Sequence, residues 1–250
     1  MKGGNFMKAI LTSTFGASVK VDGKWIGTAI SEENGLRDTM KSIWPEQARV
    51  LMIFASPDNY ERNDSIYACY KDAFFMSELS VSAFEGCDDR NEAAVEHLSE
   101  IDVIILAGGH VPTQNDFLRR LGLKEKLKDY EGIVLAWSAG SMNCAETVYA
   151  APEREGEALD PKFERFIPGL GLTETKIFPH FQSLKDEVLD GLRVIEDITY
   201  GDSFGQEFLA LNDGSYLMIE DGTETVYGEA YRIKDGKQEL ICKDGETVVL

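Results

Sequence analysis

The chain has 250 residues, 43% of them hydrophobic and 28% charged, and carries a formal net charge of −19. That length suits one large domain of soluble globular composition, and no apolar run approaches the ~18 residues of a membrane span. The negative charge repels phosphate backbones and argues against nucleic acid as a partner, while Cys69, Cys87, Cys144 and Cys242 lack metal-ligand spacing and fit free thiols of a reducing cytoplasm.

Residues 1–7 lack the apolar core of a secretory signal and read as a leader. Lys8 to Thr12 is a first strand, left through the loop Ser13-Thr14-Phe15-Gly16. Asp22-Gly23-Lys24 predicts a small hairpin between Val19–Val21 and Trp25–Gly27. Ser31 caps a helix that Pro45 stops near Trp44. Arg49 to Ala55 is a buried strand, and Asp64 to Glu78 has helical period, with Tyr67, Tyr70, Ala73 and Phe74 on one face. Leu79 to Phe84 is a third strand, Asn91 to Leu98 a helix, and Asp102 to Leu106 a fourth strand ending in Ala107-Gly108-Gly109-His110. One or two helices fill Asn115 to Tyr130.

The apolar run Ile133 to Ala136 is another buried strand, leading straight into Trp137-Ser138-Ala139-Gly140. Ala151 to Pro168 is irregular, Thr175 to Phe178 a short strand, and Leu184 to Ile198 helical. From Phe208 onward, short strands alternate with Asp-Gly turns at 213–214, 221–222, 235–236 and 244–245. These predict hairpins and an antiparallel C-terminal extension of the sheet edge. Strict alternation before that point predicts an α/β fold, a mostly parallel sheet with helices on both faces. Its binding crevice lies outside the carboxyl ends of the strands, which brings Ser13-Thr14, Gly108-Gly109 and Ser138 to one rim.

A serine at a sharp strand-to-helix turn is the nucleophile-elbow arrangement, although an ordinary junction with a serine N-cap reads the same way. The hydroxyl needs a base, and the base an orienting acid. Of three histidines, His97 falls on a helix surface, while His110 and His180 reach the rim; His180, at the end of an apolar strand, is favoured. Glu146, Glu153, Glu155, Glu157 and Asp160 all lie between Ser138 and His180, and the residue types alone do not choose among them. Gly108, Gly109 and the Ala139 amide are candidates for an oxyanion hole.

Ala-Gly-Gly-His at 107–110, Ala-Trp-Ser-Ala-Gly-Ser at 136–141 and Phe-Pro-His-Phe at 178–181 together resemble the peptidase E (α-aspartyl dipeptidase) and cyanophycinase family of serine peptidases. The resemblance spans about residues 8 to 233. It implies a class I glutamine-amidotransferase-like, flavodoxin-related fold and cleavage of small peptides by an exo- or dipeptidase through an acyl-enzyme. It casts Ser138 as nucleophile, His180 as base and, fifteen residues after the serine, Glu153 as acid, with Glu155 and Glu157 as fallbacks. It implies no cofactor or metal and a cytoplasmic enzyme; a homodimer is compatible with it.

The segment after Gly109 places His110, Thr113, Gln114 and Asn115 near substrate. The family's substrate-binding arginine after the histidine is missing: Gln182-Ser183-Leu184-Lys185 offers only Lys185, and the next arginine is Arg193. Lys185 lacks the bidentate fork, so a strong preference for aspartyl substrates is not expected. An amidase acting on a non-peptide amide and a silent ligand-binding member are the competing readings.

Overall fold

The computed structural model describes residues 7–250, so the expected leader, apart from Met7, lies outside the described residues. An eight-stranded sheet forms the centre. Lys8–Thr12 pairs in parallel with Ile133–Trp137, followed outward by Val103–Leu106, Ala48–Ile53 and Val81–Cys87, all parallel. On its other side Tyr216–Glu220, Thr223–Tyr227 and Thr247–Val249 continue the sheet antiparallel.

The near-continuous apolar runs follow from burial on both faces. Leu51, Ile53, Ile104, Leu106, Val134 and Ala136 face Phe117 and Leu118 of the helix Val111–Arg120. Their alternates Val50, Met52, Val103, Ile105, Ile133 and Leu135 face the helices Leu36–Ile43 and Tyr60–Met76. Each fully buried Leu, Ile or Val contributes about 2 kcal/mol, so a one-residue slip of any central strand is strongly disfavoured. The expected α/β layering is present.

A second sheet, in the order Lys176–Phe178, Glu207–Leu211, Ala230–Lys234 and Lys237–Cys242, has its own aromatic core. There Tyr149 stacks on Phe208 with ring centroids 4.2 Å apart, beside Phe178 and Phe181.

Two expectations fail in this region. The helix expected over 184–198 is a short turn Phe181–Leu184, a hairpin of Val188–Leu189 and Leu192–Arg193, and a wide-turned helical segment Val194–Thr199. Asp190 and Gly191, at φ 55° and 82°, reverse the chain where the helix would have continued. Of the four Asp-Gly turns, those at 221–222 and 235–236 close hairpins. Asn212-Asp213-Gly214 instead carries the chain from the second sheet into the central one, and Asp244-Gly245 returns it to the central edge.

Candidate active site

The carboxyl ends of Lys8–Thr12, Ala48–Ile53, Val103–Leu106 and Ile133–Trp137 open on one rim. Ser138 follows the last of these at φ 52°, ψ −123°, a region that L-residues avoid at a cost of about 1–3 kcal/mol. The surroundings impose it: its N–H donates to Thr12 O at 3.0 Å, and its carbonyl accepts from Met142 N at 3.1 Å in the helix Ala139–Asn143. Gly140 lets that helix lie directly on the neighbouring strand, because a Cβ there would collide with Leu106 O. Among the described residues the Ser138 hydroxyl has no hydrogen-bond partner. Ser141 is different, fully buried with Oγ against the carbonyls of Thr12 at 2.8 Å and Ala136 at 2.9 Å.

Gly108 abuts the serine. A Cβ on it would lie 2.5 Å from Trp137 Nε1 and 3.0 Å from Ser138 Cβ, and one on Gly109 would lie 2.6 Å from Ala55 Cβ. Neither amide donates to an acceptor among the described residues. The Ala139 amide, at the first helical position, has no intrahelical partner either. Three backbone donors thus remain available beside Ser138.

His180 follows the strand Lys176–Phe178 in the left-handed region, φ 57° and ψ 29°. Its N–H donates to Ser13 Oγ at 3.1 Å, and that buried hydroxyl donates onward to Leu211 O at 3.0 Å. Ser13 therefore ties the histidine backbone to the end of the strand Glu207–Leu211. The next turn brings Asp213 Oδ1 to 2.7 Å from His180 Nδ1, and Asp213 N–H is held by Gln182 Oε1 at 2.9 Å. Burial alone would lift the Asp213 carboxyl, but hydrogen bonds from His180 and Gln182 and the His180 charge outweigh it and hold it below the usual carboxylate range. An ionised Asp213 accepts the Nδ1 proton, which leaves Nε2 of the neutral ring as an acceptor. Nε2 has no partner among the described residues. Ser138, His180, Gly108, Gly109 and Ser13 line one cavity of about 950 Å³, which Trp25 and Arg62 also line.

The family model of peptidase family S51 matches residues 28–227. The chain belongs to peptidase family S51. Membership carries serine-type peptidase activity in general terms. A crystal structure from Listeria monocytogenes EGD-e, provisionally described as a peptidase E protein, superimposes with a TM-score of 0.57 at 11% identity. It covers 94% of this chain and 98% of its own, a likeness of fold. Comparison with curated proteins returns no match.

Within this S51 fold several expected site residues sit elsewhere. Glu153, expected to orient His180, is not its partner; Asp213 is. The Glu153 carboxylate has no hydrogen bond among the described residues. Although Glu153 presents an exposed surface, local desolvation and then the Glu157 charge push it up to about 7, with Arg154 opposing. Of the two fallback acids, Glu155 is exposed and Glu157 accepts from His110 Nε2 at 2.8 Å and from the amides of Glu153 and Arg154.

His110 is fully engaged, with Nδ1 2.7 Å from Thr113 Oγ1. Both ring nitrogens are occupied, so His110 and Thr113 anchor the 151–160 loop and present no free group to a substrate. Desolvation holds the His110 pKa below its ordinary value, with Arg154 acting the same way and Glu157 opposing.

Gln114 and Asn115 are buried, the first donating to Ala107 O at 2.7 Å, the second to Asn143 Oδ1 and Pro168 O, both at 2.9 Å. Buried amides must be paired, so they brace the helix Val111–Arg120 and do not reach the cavity. Lys185 stands over the rings of Phe181 and Tyr231, 4.7 and 4.5 Å from their centroids, away from the cavity; Arg193 pairs with Asp197.

Three residues at the rim went unread: Asp213, Ser13 as a tether, and Arg62. Asp213 shares its Asp-Gly setting with three other turns, and nothing local ranks it above them. Arg62 falls before the helix expected from Asp64 onward, in a charged stretch where an arginine reads as solvated surface; in the structure it lies in the first turn of the helix Tyr60–Met76.

Proposed function

We propose that this S51 chain is a hydrolase of small peptides, an exo- or dipeptidase, working through Ser138, His180 and Asp213. Ser138 Oγ gives its proton to His180 Nε2 and attacks the scissile carbonyl carbon. The amides of Gly108, Gly109 and Ala139 receive the developing oxyanion. His180 then protonates the leaving amine as the C–N bond breaks, leaving an ester on Ser138. Water, deprotonated by the same nitrogen, hydrolyses that ester and restores the serine. Asp213 keeps the proton on Nδ1 throughout.

One observation carries this reading over a His110-based one. His180 has its Nδ1 on a carboxylate and its Nε2 free at a cavity shared with Ser138, whereas both nitrogens of His110 are taken. The test is labelling with a serine-directed fluorophosphonate, mapped by peptide mass spectrometry. Label on Ser138, absent from Ser138→Ala, is expected; an unlabelled wild type refutes the mechanism. A panel of dipeptides and simple amides then decides between peptidase and amidase, with turnover of the dipeptides expected.

A further inference from the structure

Arg62 has a place at this site that a surface arginine would not need. Asn59 Oδ1 accepts from Arg62 N at 3.2 Å and so caps the helix Tyr60–Met76, fixing where the side chain starts. The guanidinium then bridges two strand ends: Nη1 donates to Ser56 Oγ at 3.2 Å and Nη2 to Gly108 O at 3.1 Å. No carboxylate pairs with it among the described residues, in a chain of net charge −19 where most arginines carry an ion pair. Although Arg62 is an exposed residue, local desolvation, unopposed by any neighbouring charge, pulls its pKa down. The charge is directed at a backbone carbonyl, the stronger kind of hydrogen bond.

That carbonyl belongs to the peptide joining Gly108 to Gly109. The unit is planar and trans, so its C=O and N–H point in opposite directions. Side chains at 108 and 109 are excluded by Trp137, Ser138 and Ala55, and a glycine-glycine peptide has little steric preference for one orientation over its flip. A flip would present a carbonyl oxygen where an oxyanion needs a donor.

We propose that Arg62 is a positioning residue for the oxyanion site: anchored on Ser56, it grips the Gly108 carbonyl and thereby aims the Gly109 N–H into the cavity beside Ser138. This rests on Ser138 being the nucleophile. Losing one oxyanion donor typically lowers turnover by about 10²–10³-fold. Arg62→Gln and Arg62→Ala should lose kcat on that scale while KM moves by less than about threefold.

Diisopropyl fluorophosphate supplies a readout independent of substrate choice, since its phosphoryl oxygen uses the same donors. Its rate of labelling Ser138 should fall about 10²-fold in Arg62→Gln, fall less in Arg62→Lys, and recover in part when guanidinium ion is added to Arg62→Ala. Labelling of Arg62→Gln at the wild-type rate overturns the inference, as does a rise in KM with kcat kept, which would make Arg62 a clamp on the substrate. Loss in all three variants that guanidinium does not relieve marks damage to the rim and overturns it too. A wild type that fails to label sinks the Ser138 reading with it, whereas a labelled wild type beside an equally labelled Arg62→Gln sinks this inference alone.

Discussion

Replacing Asp213 by asparagine separates two assignments of the acid. The substitution keeps the shape of the turn but removes the charge that faces His180 Nδ1 at 2.7 Å. Two unit charges about 4 Å apart interact by about 1 kcal/mol in water and about 4 kcal/mol at an effective dielectric of 20. Asp213 is 40% exposed on its side chain, so the imidazolium formed in the transition state loses an amount between those limits, about ten- to a thousandfold in kcat. An asparagine amide can also donate to Nδ1 and so favour the tautomer with its proton on Nε2, which cannot act as base. The expected outcome is a fall in kcat of about 10²–10³-fold with KM nearly unchanged, measured on the dipeptide that wild type cleaves fastest. Glu153→Gln should change kcat by less than about threefold. The two carboxylates also differ in pH behaviour. Because the Asp213 folded-state pKa lies below its unfolded value, the pair adds stability above the unfolded pKa of about 4 that is lost as pH falls through the folded value. Asp213→Asn should therefore flatten the acid limb of a Tm-against-pH curve. Full activity in Asp213→Asn together with a dead but folded Glu153→Gln would refute this reasoning.

Ser138→Ala should fold normally and lose three or more decades of turnover, while Ser141→Ala, which removes a buried hydroxyl bonded to two carbonyls, should lower Tm and leave kcat within about tenfold; steady-state kinetics and thermal melts check both. Glu153 has its folded pKa pushed upward, to about 7, so the folded state binds the proton more tightly and this site's contribution to stability, full below about pH 4, is lost as pH rises towards 7. Glu153→Gln should therefore match wild type in Tm at pH 4 and exceed it at pH 8. With Lys185 held over Phe181 and Tyr231 and Arg62 engaged with Gly108 O, no uncommitted arginine lines the cavity among the described residues, and kcat/KM for Asp-Leu should not exceed that for Ala-Leu by a hundredfold at fixed ionic strength.

The parallel half of the fold was legible because its strands are buried on both faces. Runs such as Val103–Leu106 and Ile133–Trp137 have no polar alternation, and the small residues after Trp137 mark the turn that bears Ser138. The region after His180 misled for a physical reason. Leu184, Val188, Leu192 and Ile195 recur at helical spacing, yet Asp190-Gly191 adopts two successive positive φ values and folds the segment into a hairpin. Thr113, Gln114 and Asn115 have the side chains of a substrate site, and only the helix phase decides that Gln114 and Asn115 point into the protein. Single-sequence reading cannot fix that phase when the polar residues are themselves buried and paired, as these are through Asn143.

Glu153 does not meet His180 because fifteen residues is a rule about chain length, and it reaches the histidine only if the intervening loop folds back onto it. Here that loop is held elsewhere. Glu157 binds His110, and Asp190 accepts from the amides of Gly156 and Ala158 at 2.8 and 3.0 Å, so residues 153–158 are tied to the glycine turn and to the 188–193 hairpin. His180 Nδ1 faces instead the end of the strand Glu207–Leu211, which Ser13 already binds to the histidine backbone. A carboxylate on the turn leaving that strand meets the imidazole without any help from the loop after the serine. The proposed mechanism needs an anion at Nδ1, and two segments of the chain could supply it; in this protein the contacts that hold the first segment to His110 and Asp190 leave His180 Nδ1 facing the second.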